Sequence, residues 1–164
     1  KIYAYDGYDS AELRQTGIVR LKMNPVTEIK RMGEDYFLNT GSPHVIRFVS
    51  DIRNYPVFDE GRALRYSETF KPGGTNVNFV ELLGDNAIFV RTYERGVENE
   101  TLSCGTGVTA AALVVSLRGY SSPVNIKTLG GDLSVEFKSS HTGTFQEIFL
   151  VGPAKMVFEG DLEL

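Results

Sequence analysis

The chain has 164 residues, 41% of them hydrophobic and 23% charged, which suits one soluble globular domain with a real core. Its net charge of −4, with no polybasic run, excludes a nucleic-acid footprint or an anionic-membrane surface and leaves no nucleic acid or membrane as a partner. One cysteine excludes an internal disulfide, and beside two histidines it makes a poor zinc set, so no metal is expected.

The first residues, Lys1-Ile2-Tyr3-Ala4-Tyr5-Asp6, hold no apolar signal core. The longest mainly apolar stretch, Val108 to Leu117, falls far short of the ~20 residues that span a bilayer. A reducing cytoplasm is the expected compartment. The chain opens on Lys1 rather than Met, which reads as a piece of a longer protein.

In chain order the pattern is strand-rich. Ile18 to Met23 alternates apolar and basic residues like a half-buried strand. Tyr36-Phe37-Leu38 leads into the turn cluster Asn39-Thr40-Gly41-Ser42-Pro43, and His44 to Val49 reads as the next strand. Asp59 to Tyr66 reads as a short helix, and Lys71-Pro72-Gly73-Gly74 as a loop. Asn76–Leu82 and Ala87–Tyr93 form a predicted hairpin across Gly84-Asp85-Asn86. Further strands are predicted at Val124–Thr128, Leu133–Phe137, Ile148–Val151 and Lys155–Phe158. The Tyr3-Tyr5-Tyr8 set reads as strand packing, and His141, in a Ser/Gly-rich turn, as incidental.

Gly107 to Leu117 differs in kind. It carries no charge on any face, its alanines favour helix, and Arg118, Gly119 and Pro123 follow as at a helix end. A helix without a charged face belongs inside the protein. The fold class is therefore α+β, a single domain over residues 1–164 with strands wrapped around a central buried helix.

Ser103-Cys104-Gly105-Thr106-Gly107 stands immediately before that helix. Unpaired N–H groups and the helix dipole favour negative charge there, so a thiol should have a lowered pKa and the N–H groups could hold a carboxylate. A lone intracellular cysteine is more often a small buried hydrophobe, and the surrounding residues have to decide.

The run Tyr93-Glu94-Arg95-Gly96-Val97-Glu98-Asn99-Glu100-Thr101-Leu102 leads into Cys104. With the cysteine it resembles the second-cysteine motif of the diaminopimelate epimerases. Gly41-Ser42-Pro43-His44 resembles that family's G-N-P-H turn, and Gly74-Thr75-Asn76-Val77-Asn78-Phe79 its V-N-x-x-F strand. Gly130-Gly131-Asp132-Leu133 and Val151-Gly152-Pro153-Ala154 agree as well, in the same order and at matching spacing across nearly the whole chain.

The resemblance implies the C-terminal half of a two-domain, cofactor-free epimerase that interconverts L,L- and meso-diaminopimelate in lysine and peptidoglycan-precursor synthesis. It implies a curved, mostly antiparallel sheet or barrel around the helix, and is compatible with a homodimer of the full-length enzyme. Inversion in that family uses one thiolate and one thiol on opposite faces of the α-carbon, and Cys104 matches the C-terminal member of the pair. By the same resemblance, Gly105 and Thr106 N–H groups hold the reacting carboxylate, and Glu94 takes the ammonium and influences the thiols. Arg95, Asn76 and Ser42 serve the distal end of the substrate, and His44 tunes the cysteines.

Three departures stand out. Ser42 replaces the more common Asn, Glu98-Asn99 lengthens the Arg95–Cys104 loop by one residue, and the other cysteine motif is absent. The chain alone is therefore expected to be inactive. Competing readings are a proline racemase or hydroxyproline epimerase, which also place a cysteine before a Gly-Thr-Gly helix, and a noncatalytic binding domain on the same scaffold.

Overall fold

The computed structural model describes residues 2–4, 7–13, 17–140, 143–155 and 157–161. His141, Tyr5 and the side chains of Tyr3 and Tyr8 lie outside the described set. The elements in order are β1 (Ile2–Ala4), β2 (Gly7–Asp9), β3 (Ala11–Leu13), β4 (Ile18–Lys22), β5 (Lys30–Met32), β6 (Asp35–Asn39), β7 (Pro43–Phe48), α1 (Val57–Arg65), β8 (Asn76–Gly84), β9 (Ala87–Glu94), β10 (Asn99–Thr101), α2 (Gly105–Ser116), β11 (Val124–Thr128), β12 (Gly131–Ser139) and β13 (Phe145–Pro153).

β1 and β2 form a separate antiparallel pair; the other strands make one 11-stranded sheet in the order β3-β4-β13-β12-β11-β9-β8-β7-β6-β5, with β10 paired to β9. The β7–β8 and β9–β11 pairings are parallel and the rest antiparallel, because segments carrying α1 and α2 return the chain to the sheet in the same direction. The sheet is open, with β3 and β5 at its edges, so the expected wrapping around the helix holds but closure into a barrel does not.

The period of two along β8 and β9 divides the interior. Val80, Ile88 and Val90 join the core around α2 with Leu113, Val114, Ile126, Val135 and Ile148. Val77, Phe79, Phe89 and Tyr93 form a smaller core with Ile52 and Val57 of the α1 segment. Every residue of α2 from Gly107 to Val115 is buried, and the helix touches β6, β7, β8, β9, β11, β12 and β13. Its end is a Schellman motif: Gly119 N–H bonds to Ser116 O at 3.1 Å, Tyr120 N–H to Val115 O at 3.4 Å, and Gly119 sits at φ +90°.

Two further sequence expectations need correction. The helix expected from Asp59 begins at Val57, whose side chain is drawn into the smaller core. The strand expected at Lys155–Phe158 does not form among the described residues. β13 is already flanked by β12 and β4, which leaves no edge beside it, and Val157 and Phe158 stay exposed. The short strands β5 and β10 fall in charged, turn-like sequence and carry no apolar alternation to announce them.

Gly61 is where α1 meets β9. A Cβ there would lie 2.3 Å from Tyr93 Cβ and 2.7 Å from its Cγ, and neither atom can swing away independently of the backbone. Gly61→Ala gains up to about 1 kcal/mol of helix propensity but incurs about 1–3 kcal/mol of overpacking. Net destabilisation is expected as a lower urea midpoint with unchanged m-value; an equal or higher midpoint would show that α1 can lift off β9 without cost.

Candidate active site

Cys104 is the N-cap residue of α2, in an extended conformation (φ −123°, ψ 112°), and its carbonyl accepts the Val108 N–H at 2.9 Å. The preceding hairpin delivers it there. β10 pairs antiparallel with β9, and Arg91 holds Glu100 through two bonds, Nε to Oε1 at 2.6 Å and Nη2 to Oε2 at 2.7 Å. The loop between Arg95 and Cys104 forms the turn and second strand of this hairpin. Glu98 takes the left-handed conformation (φ 58°), and its Oε1 accepts Gly96 N–H and both Nε and Nη2 of Arg65.

The thiol departs from expectation. Cys104 is only 8% exposed, and burial pushes its pKa up, not down. The Thr106 hydroxyl and the backbone N–H groups of Gly107 and Thr106 pull the other way, while the nearby Glu94 carboxylate adds to the rise. The helix start is present as predicted; loss of hydration outweighs it.

Ser42, His44 and Thr106 converge beside the sulfur. Thr106 Oγ1 lies 3.5 Å from Cys104 Sγ, 2.9 Å from His44 Nε2 and 3.2 Å from Ser42 Oγ, and Ser42 Oγ is 2.9 Å from His44 Nε2. The Thr40 hydroxyl donates to Thr106 O at 2.8 Å, tying the Ser42 turn to the first turn of α2. His44 is fully buried, and its pKa is lowered to about 3, first by burial and then by the positive charge of Arg95. The imidazole is therefore neutral.

Asn76 binds the other end of the site together. Its Nδ2 donates to Pro43 O at 2.9 Å and to Ser42 Oγ at 3.3 Å, and its Oδ1 accepts Arg95 N–H at 2.9 Å. Arg95 also sends Nη1 to Gly73 O at 3.3 Å. Glu94, at the end of β9, accepts the Thr101 hydroxyl at 2.9 Å. Gly105 meets Leu150, whose Cδ2 would lie 3.0 Å from a Cβ at that position. All eight candidate residues thus cluster at one end of α2, and six of them form one hydrogen-bonded network, Arg95–Asn76–Ser42–His44–Thr106–Cys104.

Sequence reasoning passed over Asn78 and Thr92, the buried polar pair behind His44. The signal was available. Asn76 and Asn78 are two apart on one strand and so share a face, the one turned toward α2.

A family model described as diaminopimelate epimerase matches residues 36–157. The chain belongs to the diaminopimelate epimerase family. The diaminopimelate epimerase of Flavobacterium psychrophilum is 42% identical over 158 residues, covering 95% of this chain and 61% of that protein. That of Aquifex aeolicus is 48% identical over 129 residues, covering 77% of this chain and 45% of that protein. The chain thus spans about half the length of the diaminopimelate epimerases it matches.

Solved structures agree in fold. A probable proline racemase from Agrobacterium radiobacter superposes with a TM-score of 0.62 at 16% identity, covering 92% of this chain and 57% of that one. A hydroxyproline epimerase from Agrobacterium vitis gives 0.61 at 17% identity, covering 88% and 52%.

The buried His44 makes stability depend on pH. Folded His44 stays unprotonated down to about pH 3, whereas the unfolded side chain takes up a proton near 6.5. The unfolded chain binds more protons between those values, so stability falls as pH falls through that window, by up to about 1.4 kcal/mol per pH unit. Urea midpoints measured between pH 7 and 4.5 should drop, and His44→Gln should flatten the slope; an equally steep slope in the variant would assign it to carboxylates.

Proposed function

We propose that this chain is the cysteine-bearing C-terminal half of an epimerase that inverts one α-carbon of diaminopimelate without a cofactor, in lysine and peptidoglycan-precursor synthesis. The observation that carries the reading is Cys104 at the mouth of a buried helix, with a neutral His44 and the Thr106 hydroxyl beside its sulfur. Family membership supplies the substrate class, since the relatives named above are diaminopimelate epimerases.

An amino-acid α-proton is weakly acidic, so its removal requires stabilising the carbanionic transition state. The N–H groups of Gly105 and Thr106, at the start of α2, hold the reacting carboxylate where the helix dipole favours negative charge. Glu94, next to the thiol, takes the substrate ammonium. Arg95 offers a guanidinium fork to the distal carboxylate. The bond from Asn76 Nδ2 to Ser42 Oγ, at 3.3 Å the longest of the Asn76 set, is the one a distal substrate oxygen would replace.

The thiolate of one cysteine takes the α-proton, and the thiol of the other donates a proton to the opposite face. Burial favours the thiol form of Cys104, the form that acts as the acid. The second cysteine is not in these residues. The chain therefore represents half of the acid–base pair, and a reducing compartment suits its thiol chemistry. No helix among the described residues is long and apolar enough to cross a membrane.

The test is deuterium wash-in from solvent. The longer protein carrying both cysteines should exchange the α-proton of L,L-diaminopimelate and not that of L-proline. Cys104→Ser should lower the rate by at least about 100-fold, and residues 1–164 alone should show no turnover. Exchange into proline at the faster rate would favour the proline racemase reading, and no exchange into either substrate would favour a noncatalytic domain.

A further inference from the structure

Behind His44 lies a buried polar pair to which the proposed chemistry gives no part. Asn78 sits on β8 facing α2, fully buried, and every polar atom of its side chain is engaged. Its Nδ2 lies 3.0 Å from Val45 O and 3.0 Å from His44 Nδ1, and its Oδ1 accepts the Thr92 hydroxyl at 2.9 Å. Gly107, in the first turn of α2, makes room for this amide: a Cβ there would lie 2.2 Å from Asn78 Oδ1.

Hydrogen-bond chemistry fixes the directions. A backbone carbonyl only accepts, so the atom facing Val45 O is the amide nitrogen. That nitrogen has a second proton, and it is aimed at His44 Nδ1, which must accept it. The ring is neutral, so its one proton is on Nε2. Nε2–H then points to the hydroxyls of Thr106 and Ser42, each 2.9 Å away.

Ser42 Oγ already accepts from Asn76 Nδ2, which leaves its own proton for Thr106 Oγ1, 3.2 Å away. With both lone pairs of Thr106 Oγ1 filled by His44 and Ser42, its hydroxyl proton is turned to Cys104 Sγ. We propose that Asn78 is a positioning residue of the site: by locking His44 in the Nε2–H tautomer it directs the Thr106 hydroxyl proton at Cys104 sulfur and so stabilises the thiolate.

The opposite tautomer would undo this. An unprotonated Nε2 would compete with the sulfur for the Thr106 hydroxyl proton, and by taking it would leave the sulfur without its hydroxyl donor. The charged groups that bear on the pair are Glu94, which acts on Cys104, and Arg95, which acts on His44. Neither makes one of the hydrogen bonds that order these protons.

The proposal rests on the reading of Cys104 as an acid–base group, but its test uses no substrate. Nitrogen-15 spectra of histidine-labelled chain, with the second histidine assigned through His141→Gln, report the tautomer directly. His44 is expected as Nε2–H in the unchanged chain, and Nδ1–H there overturns the proposal whatever any variant does. Asn78→Asp, which offers only acceptors at neutral pH, is expected to shift the ring to Nδ1–H and to slow Cys104 alkylation about tenfold below its midpoint, the effect of raising a pKa by one unit.

Loosened packing would do the reverse, exposing the thiol and speeding alkylation. A folded Asn78→Asp with His44 still Nε2–H, or with unchanged or faster alkylation, overturns the proposal. Absence of epimerase turnover in the longer protein would count against the functional reading alone.

Discussion

The structure depends on one constraint, that α2 has no polar face. Nine consecutive residues of it, Gly107 to Val115, are buried, so strands must surround it and its half-buried first turn must open at the edge of the interior. Backbone N–H groups at that end cannot all be left to water. The chain that enters the helix there, Ser103-Cys104-Gly105, thereby passes from exposed Ser103 to buried Cys104, with the helix N–H groups on one side and the Ser42 turn on the other. The location of the site follows from the composition of the helix whose first turn supplies part of its chemistry.

The same burial decides the electrostatics. A helix N-terminus is worth about 0.3–1 kcal/mol to a nearby negative charge, and up to about 2 kcal/mol when partly buried. Taking an ionisable group fully out of water can cost about 4–7 kcal/mol. Desolvation therefore wins at Cys104, and the thiol rises although it caps a helix. At His44 the same effect acts in the other direction, removing a positive charge from the ring, and Arg95 reinforces it. A neutral ring and a protonated thiol are two outcomes of one low-dielectric environment. What remains to differentiate the site is the direction of individual hydrogen bonds.

Much of this was legible in the sequence, and the boundary has a physical origin. α2 announced itself by its lack of charge, and the β8–β9 hairpin by apolar runs on either side of Gly84-Asp85-Asn86. The residues of the site were legible because they lie in ordered motifs. β10 was not, because Asn99-Glu100-Thr101 has no apolar alternation and is held by Arg91 on Glu100 rather than by a buried face. The sign of the thiol shift was also hidden, since it depends on how many strands close over the helix mouth. Asn78 was within reach of the period-two rule, but its importance lies in what its second amide proton faces, a question of three dimensions.

The loop between Arg95 and Cys104 shows how the scaffold fixes the cysteine independently of the turn before it. β9 and β10 are paired from Thr92↔Thr101 to Asn99↔Glu94, so the register on the Cys104 side is set before the turn is reached. The turn at Gly96-Val97-Glu98 lies at the far end of that hairpin, where Glu98 adopts φ 58° and binds Arg65 of α1. The tip is closed by a left-handed backbone at Glu98 and its ion pair with Arg65. Insertion between Thr101 and Cys104 would have no such outlet, because Leu102 O is engaged by Gly130 N–H at 2.8 Å and Cys104 O already caps α2. The tip at Glu98 and the position of the cysteine are therefore fixed by different contacts.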